Sequence, residues 1–236
     1  MATLNLQVSA SADDGQQSSI TDNSGRAVTG SGTVTITDTI LSPGSHGGNN
    51  EFSVGCRFLN VTIAQGATIN SATFTLRAQA TYNAGSNVVR FWVSAQAADN
   101  PSTISTTSGN LNTTNRPRTT AVSAAWTQTS VVGDTEYSID VTSVIQEIVN
   151  RAGWASGNAI MILIDTHADT TSGEWQDYYS YNGSTTNAPK LSIDYSTGGG
   201  TNHTSSVSGS VTPSATVVKQ TSRALTGALT PAAAIV

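Results

Sequence analysis

Residues 140–164 read DVTSVIQEIVNRAGWASGNAIMILI. Val141, Val144, Ile145, Ile148 and Val149 fall at i, i+3, i+4, i+7 and i+8, one stripe of a 3.6-residue period, and predict a helix. Asp140 stands where it can cap the first free amides. Gly153, just past Arg151, is expected to stop the helix in left-handed backbone. Gly157 and Asn158 then turn the chain into 159–164, which is apolar at every position. A run without alternation predicts a strand buried on both faces. Most of the remaining chain alternates Ser and Thr with Val and Ile at period two. The expected fold class is therefore all-β. It is a jelly-roll-like antiparallel β-sandwich with one short helix over an end or open edge, plus an extended C-terminal repeat tail.

Working outward from that stretch, residues 3–9 alternate Leu4, Leu6 and Val8 against polar neighbours, a half-buried first strand. Residues 11–32 are rich in Asp, Gly and Ser and read as a long loop. Residues 32–40 alternate through Val34 and Ile36, and 42–50 (SPGSHGGNN) read as a second loop. Three further strands carry one apolar face each: Phe52, Val54, Cys56 and Phe58; Ala72, Phe74, Leu76 and Ala78; and Val89, Phe91 and Val93. Residues 99–120, punctuated by Pro101 and Pro117, are expected to wrap the sandwich and supply few core residues. Trp126 is placed to close one end of the core. Residues 174–182 and 189–195 read as the last hairpin.

The chain has 236 residues, 11% of them charged, and a net charge of −5. No positive field gathers phosphates, so nucleic acid is not an expected partner. No apolar run approaches the ~18 residues of a membrane span, so no membrane association is expected. The single cysteine, Cys56, excludes an intrachain disulfide and reads as a small buried apolar residue. The start, MATLNLQVSAS, has no basic region and no long apolar core of a secretory peptide. Surfaces rich in Ser, Thr, Asn and Gly are typical of extracellular β-proteins and of virion proteins. A phage structural protein, made in the cytoplasm and released by lysis, reconciles the two observations; so does a cleaved signal or a fragment.

Three regions are expected: a sandwich over 1–195, a Gly/Ser/Thr linker over 196–206, and two repeat units over 207–236. VSGSVTPSATVV (207–218) aligns with LTGALTPAAAIV (225–236) at a constant shift of 18 residues. Two such units bury no core alone, so the tail is expected either to be disordered or to pair with its own sandwich or a neighbouring subunit, the last being preferred. Val207, Val211, Pro213, Leu225, Leu229 and Pro231 are the assembly candidates. The second unit stops where KQTSR would recur, which leaves open whether the native chain continues past Val236.

Two clusters are candidate sites. Asp165, His167 and Asp169 share one side of an extended segment, and Asp13 and Asp14 could join them. Such hard oxygen ligands suit Ca²⁺. The preferred reading is a solvated polar loop without a cofactor, because no EF-hand or zinc spacing occurs. In the aromatic run 175–181, period two puts Trp175, Tyr179 and Tyr181 on one face and Tyr178 on the other. Flat rings with Asp177 beside them would suit a sugar; the competing and preferred reading is core packing. No carboxylate pair has a placement the sequence sets, no nucleophile elbow occurs, and His46 and His203 lie in glycine-rich stretches. The chain is therefore expected not to be an enzyme.

The segments VGCRFLNVTIAQGATINSATFTL (54–76), DVTSVIQEIV (140–149), GNAIMILI (157–164) and PKLSIDY (189–195), in that order, resemble the DNRLRE-type β-sandwich modules. The motif that names the family is missing here; DYYSY (177–181) stands near where it would fall. The resemblance covers about the first 195 residues. It implies a mostly non-catalytic sandwich of the kind found in bacterial surface proteins, in polysaccharide-degrading enzymes as carbohydrate-binding domains, and in phage virion proteins. A sandwich followed by a glycine linker and LTG/LTP repeats also resembles virion proteins of tailed phages. The expected function is a non-enzymatic structural protein of a phage-like virion, an exposed decoration or fibre subunit. Its partners would be other copies of itself, other virion proteins and surface glycans. The alternatives are a carbohydrate-binding or adhesive module of a secreted bacterial protein, and an extracellular filament subunit joined by donated strands.

Overall fold

The apolar run after the helix lies in the middle of a sheet, paired on both sides. The structure, a computed structural model, describes residues 1–19, 28–47 and 50–196. The linker past 196 and all six tail candidates, Val207, Val211, Pro213, Leu225, Leu229 and Pro231, lie outside the described residues. In chain order the first strands are β1 (Ala2–Gln7), β2 (Asp14–Ser19), β3 (Val34–Thr35), β4 (Ile40–Leu41) and β5 (Gly44–Ser45). Next come β6 (Glu51–Phe58), β7 (Thr68–Arg77), β8 (Tyr82–Asn83), β9 (Arg90–Ala95), β10 (Trp126–Thr127) and β11 (Ser130–Val131). Then follow β12 (Glu136–Asp140), helix α1 (Thr142–Val149), β13 (Ile160–Thr166), β14 (Tyr178–Tyr179) and β15 (Lys190–Ser196).

One sheet has the order β1-β15-β7-β12; the other has β10-β9-β13-β6-β2-β3, with β5 also pairing β6. With β2, β3 and β5 set aside, eight strands remain, and renumbered in chain order they run 1-8-3-6 over 2-7-4-5. Every pairing is antiparallel. This is a jelly-roll sandwich. The inward faces are those the alternation predicts: Val54, Cys56 and Phe58; Ala72, Phe74 and Leu76; Phe91 and Val93, all buried in one core with Ile162, Ile164 and Ile193. Trp126 meets Phe74, Phe91 and Tyr178 ring to ring in that core.

The helix seals the sandwich between β7 of one sheet and β9 of the other. Its whole stripe, Val141 to Val149, is buried. Asp140 sits one residue before the formal cap, and its Oδ1 accepts from the Thr142 amide at 2.7 Å. Thr142 Oγ1 in turn accepts from the Ala72 amide at 2.9 Å, and Gln146 Oε1 from the Ile69 amide at 2.8 Å, so polar side chains pin the helix to β7. The expected left-handed stop at Gly153 is not found. The helix ends at Asn150 in right-handed backbone, and the positive φ is at Gly157. A Cβ at Gly153 would lie 2.0 Å from Asp99 Oδ2, so a side chain there would displace the carboxylate that pairs with Arg151.

Three loop or strand expectations are corrected. Within 11–32, Ser11–Asp13 form a 3-10 turn and β2 is a full strand against β6. Its buried polar residues have partners: Gln16 Oε1 accepts from the Ser42 amide at 2.7 Å and Gln17 Oε1 from the Leu111 amide at 2.6 Å. Satisfied amides let a sequence without an apolar face occupy a sheet. The expected strand over 32–40 breaks into β3 and β4, which join different sheets. The expected last hairpin does not form: β14 pairs β4, whereas β15 pairs β1 and β7.

The polar wrap does more than drape the surface. Ile104 and Leu111 cover the outer face of the larger sheet and make a second core with Val34, Met161 and Leu163, which is why β13 is apolar on both faces. Buried Arg116 organises the wrap. It donates to the carbonyls of Ser102, Thr103 and Asn110 and to the side chains of Gln96 and Asn110. Burial, with Arg118 and Arg57 nearby, pulls its pKa down to about 10.

Candidate functional site

The segment 174–182 alternates. Gln176, Tyr178 and Ser180 are buried, while Trp175, Asp177, Tyr179 and Tyr181 are only half-buried on the outward side. The four candidates thus share a side of the strand, but they do not converge on one ligand. Trp175 and Asp177 line a cleft of about 100 Å³ with Ala80, Thr81 and Tyr82. Tyr179 reaches away and donates to Asp134 Oδ1 at 3.2 Å, a bond that raises its pKa. Tyr181 packs against the main core, and its amide donates to Asp14 Oδ2 at 2.6 Å.

The cleft is held from several directions. The Trp175 ring stacks on His46, centroids 4.5 Å apart, and His46 leans on Phe52 at 4.1 Å. Gly44 bridges Trp175 in left-handed backbone (φ 132°), and a Cβ there would lie 2.6 Å from Trp175 Cα. Asp177 Oδ1 accepts from Ser42 Oγ at 2.6 Å. The Tyr82 hydroxyl donates to Glu174 Oε2, and that bond, then burial, pushes its pKa up to about 12. Asn87 Nδ2 holds the other Glu174 oxygen at 2.6 Å. A flat ring beside a carboxylate and two hydroxyls can stack on an apolar sugar face and bond its hydroxyls. Thr81 and His46 stand in loops and Tyr82 opens the two-residue β8, all remote from 175, so sequence reading does not bring them to the cleft. The Gly44 signal alone marks a close approach.

The carboxylates considered for Ca²⁺ are engaged separately. Asp165 is gripped at both oxygens by Arg118, Nε to Oδ2 at 2.9 Å and Nη2 to Oδ1 at 2.8 Å, with both side chains buried. Asp169 pairs Arg90 at 2.6 Å, and His167 Nδ1 accepts the Asp169 amide at 3.0 Å. Asp13 pairs Arg57 at 2.7 Å. Among the described residues no three His, Cys, Asp or Glu side chains stand together as a metal would need. Asp14 is the exception to arginine pairing. It is buried opposite Cys56, and desolvation, with Asp13 beside it, raises its pKa to about 7 against the pull of the Tyr181 amide. Burial and Asp14 together push the Cys56 thiol well up, which favours the protonated thiol.

No protein-family model matches this chain, and no curated protein is significantly similar to it in sequence.

Proposed function

We propose that the chain is a non-enzymatic structural subunit of a phage-like virion, an exposed decoration or fibre protein tied to other copies and to other virion proteins by its C-terminal repeats. The observation that carries this reading is the setting of β15, the strand from which the chain continues toward the repeats. It is an interior strand, paired along six residues of β1 and along β7. Force entering through residue 197 runs along two flanking ladders, so many backbone bonds share it. A domain held by its tail benefits from that placement. The resemblance to DNRLRE-type modules and the 18-residue repeat support the same reading. Light scattering on residues 1–236 and 1–197 tests it. A defined oligomer for the full chain and a smaller species for the truncation is the expected result; equal masses refute tail-driven assembly.

A second reading, a carbohydrate-binding module, is favoured by the cleft between Trp175, Asp177 and Tyr82. It requires affinity on a glycan panel that Trp175→Ala abolishes, and it fails if the unmodified protein gives no signal on that panel.

A further inference from the structure

Among the described residues four strands end the two large sheets, and three of them are poor templates for another chain. β3 and β10 are two residues long. β12 is five residues and carries Glu136 and Asp140. The Val141 amide bonds the Ala72 carbonyl across the β12–β7 ladder. By antiparallel alternation, Glu136, Ser138 and Asp140 therefore turn their backbone groups outward. A second β12 laid there about Ser138 would set Glu136 opposite Asp140, a like-charge pair.

The fourth edge, β1, lacks every such safeguard. Its six residues, ATLNLQ, include no charge and no proline, and its register with β15 is unbroken. The Val8 amide bonds the Pro189 carbonyl at 3.0 Å in the same register, so Leu6, Leu4 and Ala2 form the hydrogen-bonded pairs with β15. Thr3, Asn5 and Gln7 therefore point their amides and carbonyls away from the sheet. The side chains are half-finished too: Leu4 and Leu6 pack on the core but remain only partly buried.

We infer that β1 is the pairing surface for a second copy of this chain, joined β1 to β1 across a two-fold axis through Asn5. In that antiparallel register Asn5 faces Asn5 of the second copy, Thr3 faces Gln7, and Leu4 faces Leu6. Every facing pair lies on the same side of the sheet, as the pleat demands. The six outward groups of each edge, unpaired among the described residues, would close about six new hydrogen bonds, and the leucines would cover one another at the core edge. No two like charges oppose, and the two four-stranded sheets become one of eight. This contact uses none of the tail and is independent of the function proposed above.

The test uses the full chain with single cysteines at exposed β1 positions; the native Cys56 is fully buried and does not compete. Asn5→Cys places two thiols on directly opposed residues, with Cα atoms about 5.5 Å apart, inside the disulfide range. Thr3→Cys places them four residues apart along the strand, about 13 Å. Under mild oxidation most of the Asn5→Cys protein should run as a cross-linked dimer and the Thr3→Cys protein should not. No cross-link at position 5, or equal cross-linking at both positions, overturns the inference. Asn5→Pro removes an outward amide and the side-chain acceptor of the Ser192 hydroxyl, but no backbone bond of the β15 ladder. In residues 1–197, which lack the tail, it should halve the mass seen by light scattering while the far-ultraviolet circular dichroism is unchanged; an unchanged mass also overturns the inference. Loss of the tail should leave the position-5 cross-link in place, which separates this contact from tail-driven assembly.

Discussion

Replacing Asp14 by Asn keeps an acceptor for the Tyr181 amide and removes a titration from the sandwich interior. In the native protein Asp14 holds its proton up to about pH 7, because burial disfavours the carboxylate. In the unfolded chain it ionises near the ordinary aspartate value of 3.8. Between those two values the native state binds more protons than the unfolded one, so stability falls as pH rises through the window. Below pH 4 and above about 7 this contribution is flat. Moving one acid across that interval corresponds to about 4 kcal/mol. All other groups titrate alike in the two proteins and drop out of the difference, as does any constant effect of the amide. Urea midpoints measured at several pH values between 4 and 8 give that difference directly. The gap between Asp14→Asn and the unmodified protein should move by about 4 kcal/mol in favour of the variant across the range. Parallel profiles would refute the assignment of a raised pKa to Asp14, and a gap moving the other way would refute its cause.

The core strands β6, β7, β9 and β13 were legible because their residues alternate or are uniformly apolar, and hydrophobic burial alone places such runs. β2 was not legible, because DGQQSS carries no apolar period. Its place depends on partners at Ser42 and Leu111, far along the chain. β14 was half-legible. Period two correctly separates Tyr178 from Trp175 and Tyr179, but nothing local says that its partner is Ile40–Leu41 rather than 189–195. The same limit governs the site. Trp175 and Asp177 stand out as residues, whereas the cleft exists through Thr81 and Tyr82. The polar stretch 165–169 reads as a solvated loop because its arginine partners, Arg118 and Arg90, are remote in sequence, whereas Asp165 is a buried residue of β13. Spacing signals report chemistry within a segment; counter-ions that neutralise it come from the tertiary fold.

Two further outcomes test the packing directly. Gly44→Ala should destabilise the protein by about 1–3 kcal/mol, because a Cβ collides with the Trp175 backbone at a positive φ. The indole should also move off His46, and an unchanged tryptophan emission spectrum in the folded variant would refute the claim that Gly44 positions the ring. Arg118→Met should be the costlier change, about 3–5 kcal/mol, because it leaves the buried Asp165 carboxyl without its guanidinium partner. Replacing both, Arg118→Met with Asp165→Leu, removes the stranded carboxyl and should recover most of that loss. Recovery should stop short of complete, since Arg118 also donates to the carbonyls of Arg116 and Leu111, each bond being worth about 1 kcal/mol. A single variant as stable as the unmodified protein would mean that water reaches Asp165. A double variant no better than the single would mean that Arg118 acts chiefly through those carbonyls, holding the wrap over the second core, and not through the ion pair.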